Sequence, residues 1–130
     1  MQKTSLEIGG MGHAIKRKED PRFLQGKGNY VDDVHLPGMV YGHMVRSPYA
    51  HARLKSINTA EALKLPGVLA VITGEDLAKA GLAWMPTLFH DKQMVLAIGK
   101  VLFQSQEVAF VVAEDRYVAA DAAELVEVEY

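Results

Sequence analysis

Five histidines, His13, His35, His43, His51 and His90, are the side chains of this sequence best suited to hold a transition metal. No two of them stand four residues apart around a carboxylate, the spacing that puts two imidazoles on one helical face for zinc. His43 and His51 would meet if the stretches carrying them paired as strands, but two imidazoles without a third ligand do not make a metal site. Their ordinary role is to pack a partly exposed ring on a sheet edge. The chain has no cysteine. That removes disulfides, thiolate zinc sites, iron-sulfur ligation and a thiol nucleophile from these 130 residues.

Other chemistries fare no better. Gly26-Lys27-Gly28 lacks the spacing of a phosphate loop and the third, helix-opening glycine of a dinucleotide fingerprint. Gly9-Gly10-Met11-Gly12 precedes a basic stretch rather than joining a strand to a helix, so a flexible leader is expected there. Ser47, Ser56 and Ser105 have no Gly-x-Ser-x-Gly elbow around them. The acidic pairs Asp32-Asp33, Glu75-Asp76 and Glu127/Glu129 fall at a turn, a helix start and the wet side of a strand. A catalytic acid usually needs burial to move its pKa. The residues taken alone place no catalytic, cofactor-binding or metal site in this chain.

Composition bounds the class. Fourteen basic and sixteen acidic residues give a formal charge of -2, which draws the chain neither to nucleic acid nor to an anionic membrane. With 49% apolar residues over 130 positions, one domain with a real core is expected. The longest apolar runs, residues 68–72 and 108–113, are far short of the roughly 20 residues that span a bilayer. Residues 1–12 contain a lone Lys3 and no apolar h-region, unlike a secretory signal. A flexible leader over residues 1–15, one domain over 16–130 and a cytoplasmic location are therefore expected.

The elements follow from local pattern. The charged run at 16–22 suggests a solvated extended segment, since Asp20 before Pro21 is biased away from helix. Residues 25–33 suggest glycine turns around a short strand-like piece. Leu36-Pro37-Gly38 fits a type II turn. Residues 39–46 then alternate, with Val40, Gly42, Met44 and Arg46 on one face and Met39, Tyr41, His43 and Val45 on the other. Ser47-Pro48 bends the chain, and 51–57 suggests a second strand paired with the first.

Asn58 or Thr59 can cap a helix over 59–64, which Pro66-Gly67 stops. A buried strand is expected at 68–73, a short helix from Thr73 or Gly74 to Lys79 ending at Gly81, and a long irregular loop at 82–92. Strand material broken by Gly99 follows at 95–103, then a buried strand at 107–113 and a helix over 115–124 capped by Asp115. Residues 125–130 alternate as a strand up to the final residue, which suggests a piece of something longer. The fold class is α+β, with a mixed, mostly antiparallel sheet and short helices.

Several stretches, in order, resemble one family. Arg17-Lys18-Glu19-Asp20-Pro21-Arg22-Phe23, Gly26-Lys27-Gly28-Asn29-Tyr30-Val31-Asp32-Asp33 and Leu36-Pro37-Gly38-Met39 resemble the opening of large subunits of the xanthine dehydrogenase and aldehyde oxidase family. Arg46-Ser47-Pro48-Tyr49-Ala50-His51-Ala52-Arg53 is similar to the next signature. Pro66-Gly67-Val68, Thr73-Gly74-Glu75-Asp76-Leu77, Val111-Val112-Ala113-Glu114 and the run from Ala119 to Tyr130 resemble the remainder of its a/b hammerhead domain. Many members have a Gly-x-Pro-like turn before the Val-Ala strand. Here Phe103-Gln104-Ser105-Gln106-Glu107-Val108-Ala109 stands instead, and with Trp84-Met85-Pro86-Thr87-Leu88 it is similar to the carbon monoxide dehydrogenase branch.

The resemblance implies a parent enzyme that holds molybdenum on a molybdopterin cytosine dinucleotide, with copper on a cysteine in the carbon monoxide branch. It also implies iron-sulfur and flavin (FAD) partner subunits. The cysteine, the cofactor loops and the glutamate beside molybdenum belong to later parts of the family's large subunit, so no catalytic position carries over to this chain. The expected role is structural, packing against the remainder of the large subunit and the iron-sulfur partner. Arg46 and Arg53 are candidates for buried or interfacial ion pairs. Trp84, Met85, Leu88 and Phe89 are candidates for an apolar docking surface, because large apolar side chains on an irregular stretch are costly to leave in water. The alternative is a free-standing interaction or ligand-binding module without enzymatic activity.

Overall fold

The computed structural model describes residues 16–89 and 92–130; the leader expected at 1–15 lies outside them. The chain divides into two compact units, Met1–Pro37 and Gly38–Tyr130. In the first, α1 spans Asp20–Leu24 and buries no residue. This corrects the extended segment expected at 16–22. Pro21 sits in the first turn, where its missing N–H would have had no helical partner anyway. Asp20 accepts hydrogen bonds from the Arg17 backbone N–H at 3.2 Å and from its Nε at 2.9 Å, closing the turn ahead of the helix. The strand-like piece expected within 25–33 is instead a 3-10 turn, Val31–Asp33. The Asp33 carboxylate accepts the Tyr30 N–H at 2.9 Å, an Asx-type bond that competes with strand pairing. Phe23 and Tyr30 stack at 5.5 Å between ring centroids.

The second unit runs, in chain order, through β1 (Tyr41–Arg46), β2 (Ala52–Arg53), β3 (Ser56–Asn58), α2 (Ala60–Lys64), β4 (Val68–Thr73), α3 (Gly74–Lys79), β5 (Trp84–Met85), β6 (Gln93–Met94), β7 (Lys100–Val101), β8 (Glu107–Ala113), α4 (Arg116–Glu124) and β9 (Glu127–Glu129). β8 is the centre of a three-stranded sheet and pairs antiparallel with β1 on one side and β4 on the other. Three short antiparallel ladders, β2–β7, β3–β9 and β5–β6, are the other strand pairs among the described residues. This is the α+β, mostly antiparallel class that the sequence implies.

The register fixes two faces. Val111 lies between His43 and Val71, while Phe110 lies between Met44 and Ile72. On the first face Ala109 and Val111 form a core with Ala62 of α2, Ala122 of α4 and Val126. The alanines let both helices approach the sheet closely. Full burial of a valine such as Val111 contributes roughly 1.5–3 kcal/mol. A second cluster, Ala97, Val101 and Val108, packs at the end of the sheet where β8 begins.

Two strand expectations need correction. Residues 51–57 do not form one strand paired with β1, because β1 takes the edge of the apolar β8. The stretch instead breaks into β2 and β3, which join different partners. At the break the Leu54 N–H donates to Gly99 O at 3.0 Å and the Lys55 N–H to Glu129 O at 2.9 Å, so the chain passes from β7 to β9 without losing backbone bonds. The 82–92 stretch is not wholly loop either. Trp84 faces Met94 and Met85 faces Gln93 in the ladder β5–β6.

Helix caps follow the expected residues. Asp115 accepts from the N–H groups of Tyr117 and Val118 at 2.7 and 3.4 Å. Asn58 accepts the Ala60 N–H at 3.1 Å. α3 ends on Gly81, whose φ of +74° few other residues adopt at low cost. At its start the Asp76 carboxylate accepts the Thr73 hydroxyl at 2.6 Å and the Thr73 N–H at 3.0 Å. These two bonds, the hydroxyl first, hold the Asp76 carboxyl below its ordinary pKa; slight burial opposes them and Lys79 adds to them.

A depressed folded pKa means that the ionised group's contribution is complete above the unfolded carboxylate range and is lost as pH falls through the folded value. Asp76 is exposed, so solvent screening keeps the effect small. Asp76→Asn is expected to cost about 0.5 kcal/mol at neutral pH. Urea unfolding at a series of pH values should show the variant and parent curves converging in acid.

Candidate functional site

The sheet face opposite α2 and α4 carries Gly42 and Met44 from β1, Phe110 and Val112 from β8, and Ala70 and Ile72 from β4. Alternation along the strands and the register place them together. The segment leading into β7 covers one end of this face, where the Ala97 N–H donates to Glu107 O at 2.8 Å and Ala97 and Val101 pack on Val108. What remains open is a groove of 240 Å³ lined by Met44, Ile72, Leu77, Val95, Leu96 and Phe110. Every lining side chain is apolar.

The β5–β6 hairpin adjoins this groove through Val95, whose N–H donates to Ala83 O at 3.0 Å. The docking residues expected from sequence lie on it or in its connection. Trp84 is 55% and Met85 45% exposed, while Leu88 and Phe89 are 98% and 82% exposed. The Lys92 ammonium sits 5.8 Å from the centre of the Trp84 ring. Sequence reasoning missed the groove itself. Its one signal was the β1 alternation that put Met44 opposite Val45. Ile72 and Phe110 lie in strands apolar on both faces, where periodicity cannot assign a side.

Arg46 ends β1 opposite Glu107. Its Nη1 donates to Glu107 Oε1 at 2.6 Å and to Ser105 O at 2.9 Å, with the guanidinium side chain half exposed. A pair that accessible contributes about 0–1 kcal/mol. Arg53 is exposed on β2 opposite Lys100, and among the described residues no ion pair forms on it.

The stretch from Phe103 to Ala109 closes around a buried amide. The Gln106 side chain accepts the Leu102 N–H at 2.6 Å, and its backbone O accepts the Ser47 N–H at 2.9 Å. The Ser105 N–H donates to Ser47 O at 2.9 Å. Ser47, buried, accepts the Tyr49 N–H on its hydroxyl oxygen at 3.1 Å. Ser105 takes the left-handed conformation with φ +66°, where glycine is more at home. Arg46, Ser47 and Gln106 thus tie the end of β1 to the start of β8.

His43 and His51 do not converge. His43 is exposed opposite Val111 and His51 is exposed ahead of β2, and β1 and β2 are not partners. His35 belongs to the first unit; His13 and His90 lie outside the described residues. Among the described residues no three His, Asp or Glu side chains are grouped to hold a metal ion. A second cleft, of 280 Å³, lies between β3, the start of α3 and residues 97–99, with Lys55 and Glu75 on its rim. No described helix is long and apolar enough to cross a membrane.

Three likenesses to known proteins bear on this arrangement. The carbon monoxide dehydrogenase large chain of Afipia carboxidovorans is 66% identical over 134 aligned residues, covering 100% of this chain and 17% of that protein. The corresponding large chain of Hydrogenophaga pseudoflava is 57% identical, over 99% of this chain and 16% of its own length. The solved structure of reconstituted CO dehydrogenase from Oligotropha carboxidovorans superposes with a TM-score of 0.84 at 68% identity, over 93% of this chain and 15% of that one. This chain therefore spans about one sixth of the length of the relatives it matches. The sequence profile of the aldehyde oxidase and xanthine dehydrogenase a/b hammerhead domain matches residues 25–130. The chain therefore belongs to the a/b hammerhead family of aldehyde oxidase and xanthine dehydrogenase.

Proposed function

We propose that residues 16–130 are the hammerhead module of a molybdenum hydroxylase large subunit of the carbon monoxide dehydrogenase type, and that the module's work is structural. The observation that carries this reading is 66% identity with such a large chain across the whole sequence. The parent reaction would convert carbon monoxide and one water to carbon dioxide, two protons and two electrons, the electrons leaving through iron-sulfur and flavin subunits. Its molybdopterin cytosine dinucleotide, with copper in this branch, would be held by other parts of the subunit. The residues described here do not fit that group. They include no thiolate, no cluster of metal ligands and no buried side-chain N or O left without a partner to receive one. No step of the reaction is routed through them.

The partners implied are the rest of the large subunit and its iron-sulfur and flavin subunits, in the cytoplasm. The test is to express the complete coding sequence with its partner subunits and measure molybdenum content and carbon monoxide-dependent dye reduction. Stoichiometric molybdenum and dye reduction are expected of the assembly, and neither of the 130-residue chain. A complete assembly loaded with molybdenum that reduces dye with aldehydes or purines but not with carbon monoxide would overturn the substrate. Molybdenum bound to the 130-residue chain alone would overturn the structural role.

A further inference from the structure

We infer that the open face of the β1–β8–β4 sheet, the groove of Met44, Ile72, Leu77, Val95, Leu96 and Phe110, is the seat of an apolar segment from the rest of the same polypeptide. The inference deepens the structural role proposed above and rests on it. The opposite face is closed by α2 and α4 with side chains that are fully buried. Among the described residues of the second unit this face is covered only in part, by Leu77 of α3 and by Val95 and Leu96, and Met44 at its edge keeps 38% of its surface in water. A strand that is apolar on both faces normally has both faces covered, and β8 presents Phe110 and Val112 on this face with no polar residue alternating with them.

The occupant follows from two observations. The groove holds no charge and no side-chain hydrogen-bonding group, which is the composition of permanent contacts rather than of exchangeable ones. The matching large chains continue for roughly five times this length in one polypeptide. A tethered segment reaches its site at an effective concentration of about millimolar or more, ahead of any separate subunit. Val95 connects the groove to the exposed Trp84–Met85 ladder, so the same segment would extend over the hairpin.

Methionine oxidation tests this in the complete large chain, first alone and then assembled with its partner subunits. Sulfoxide formation by dilute peroxide follows exposure. Left uncovered at 38% exposure, Met44 should react about two- to threefold more slowly than in the unfolded chain. Covered, it should react at least about tenfold more slowly. The expected result is strong protection of Met44 in the large chain alone, unchanged by dilution. Protection that is lost on dilution would assign the face to a second copy, and protection that arises only after assembly would assign it to another subunit; either outcome overturns the inference, as does an unprotected Met44 throughout. Dye reduction with carbon monoxide is scored separately. A protected Met44 in an inactive assembly would sink the proposed reaction and leave the docking face standing.

Discussion

Gly74→Ala is expected to destabilise the second unit by about 2–3 kcal/mol, and a thermal melt should register it as a fall of roughly 10 °C. Gly74 opens α3 directly behind the Thr73 cap and is buried. A Cβ there would stand 2.7 Å from Ala97 O, 3.0 Å from Leu96 O and 2.7 Å from Ile98 Cγ1. Two of the three are backbone carbonyls on the segment that leads into β7, and a carbonyl cannot swing aside as a side-chain tip can. Relief requires that segment to move, yet it is held by the Ala97 N–H bond to Glu107 O and by the packing of Ala97 and Val101 on Val108. Alanine's better helix propensity recovers little at a first-turn position. A variant that melts within about 2 °C of the parent would mean that α3 and residues 96–98 are not as close as described.

How much of this was legible from sequence depends on the range of the interaction that decides it. β4 and β8 form over the residues expected, because a short apolar run rich in β-branched residues and bounded by turn signals favours a buried strand. The caps at Thr73 and Asp115 were legible because each is settled within four residues. The helix at Asp20–Leu24 was hidden by the bias that a following proline imposes, which the Arg17–Asp20 bond and the first-turn position of Pro21 override. The split of 51–57 into β2 and β3 is decided by Gly99 and Glu129, far along the chain. Arg46 was singled out as an ion-pair candidate, but its partner, 61 positions away, was not.

The family resemblance survived these local errors because it rests on the order of motifs and not on any one element. The profile match over residues 25–130 and the identity to carbon monoxide dehydrogenase large chains agree with it. The groove was out of reach for a related reason. An apolar strand gives no clue to which of its residues a helix will cover.

Gly42→Ala should be nearly as damaging, at about 1–3 kcal/mol, and it separates the two sides of the sheet. Gly42 stands on the open face opposite Val112, and a Cβ there would fall within the Phe110 ring that lies across it. Glycine inside a strand marks such close approach, and an aromatic ring laid over it covers the backbone that it leaves bare. The obstacle is a side chain, so unlike the Gly74 case the clash can be relieved by turning Phe110 outward, at the cost of its contacts with Met44 and Ile72 in the groove. Removing the ring should therefore rescue the glycine variant. Phe110→Ala alone leaves a gap, but Gly42→Ala added to it should cost far less than Gly42→Ala in the parent, giving a coupling of about 1 kcal/mol or more in a double-mutant cycle measured by urea unfolding. Additive costs would show that the ring does not rest on Gly42. Because α2 and α4 cover the other face, the Ala62, Val111 and Ala122 core should stay intact in all three variants, and the far-ultraviolet spectrum should not change.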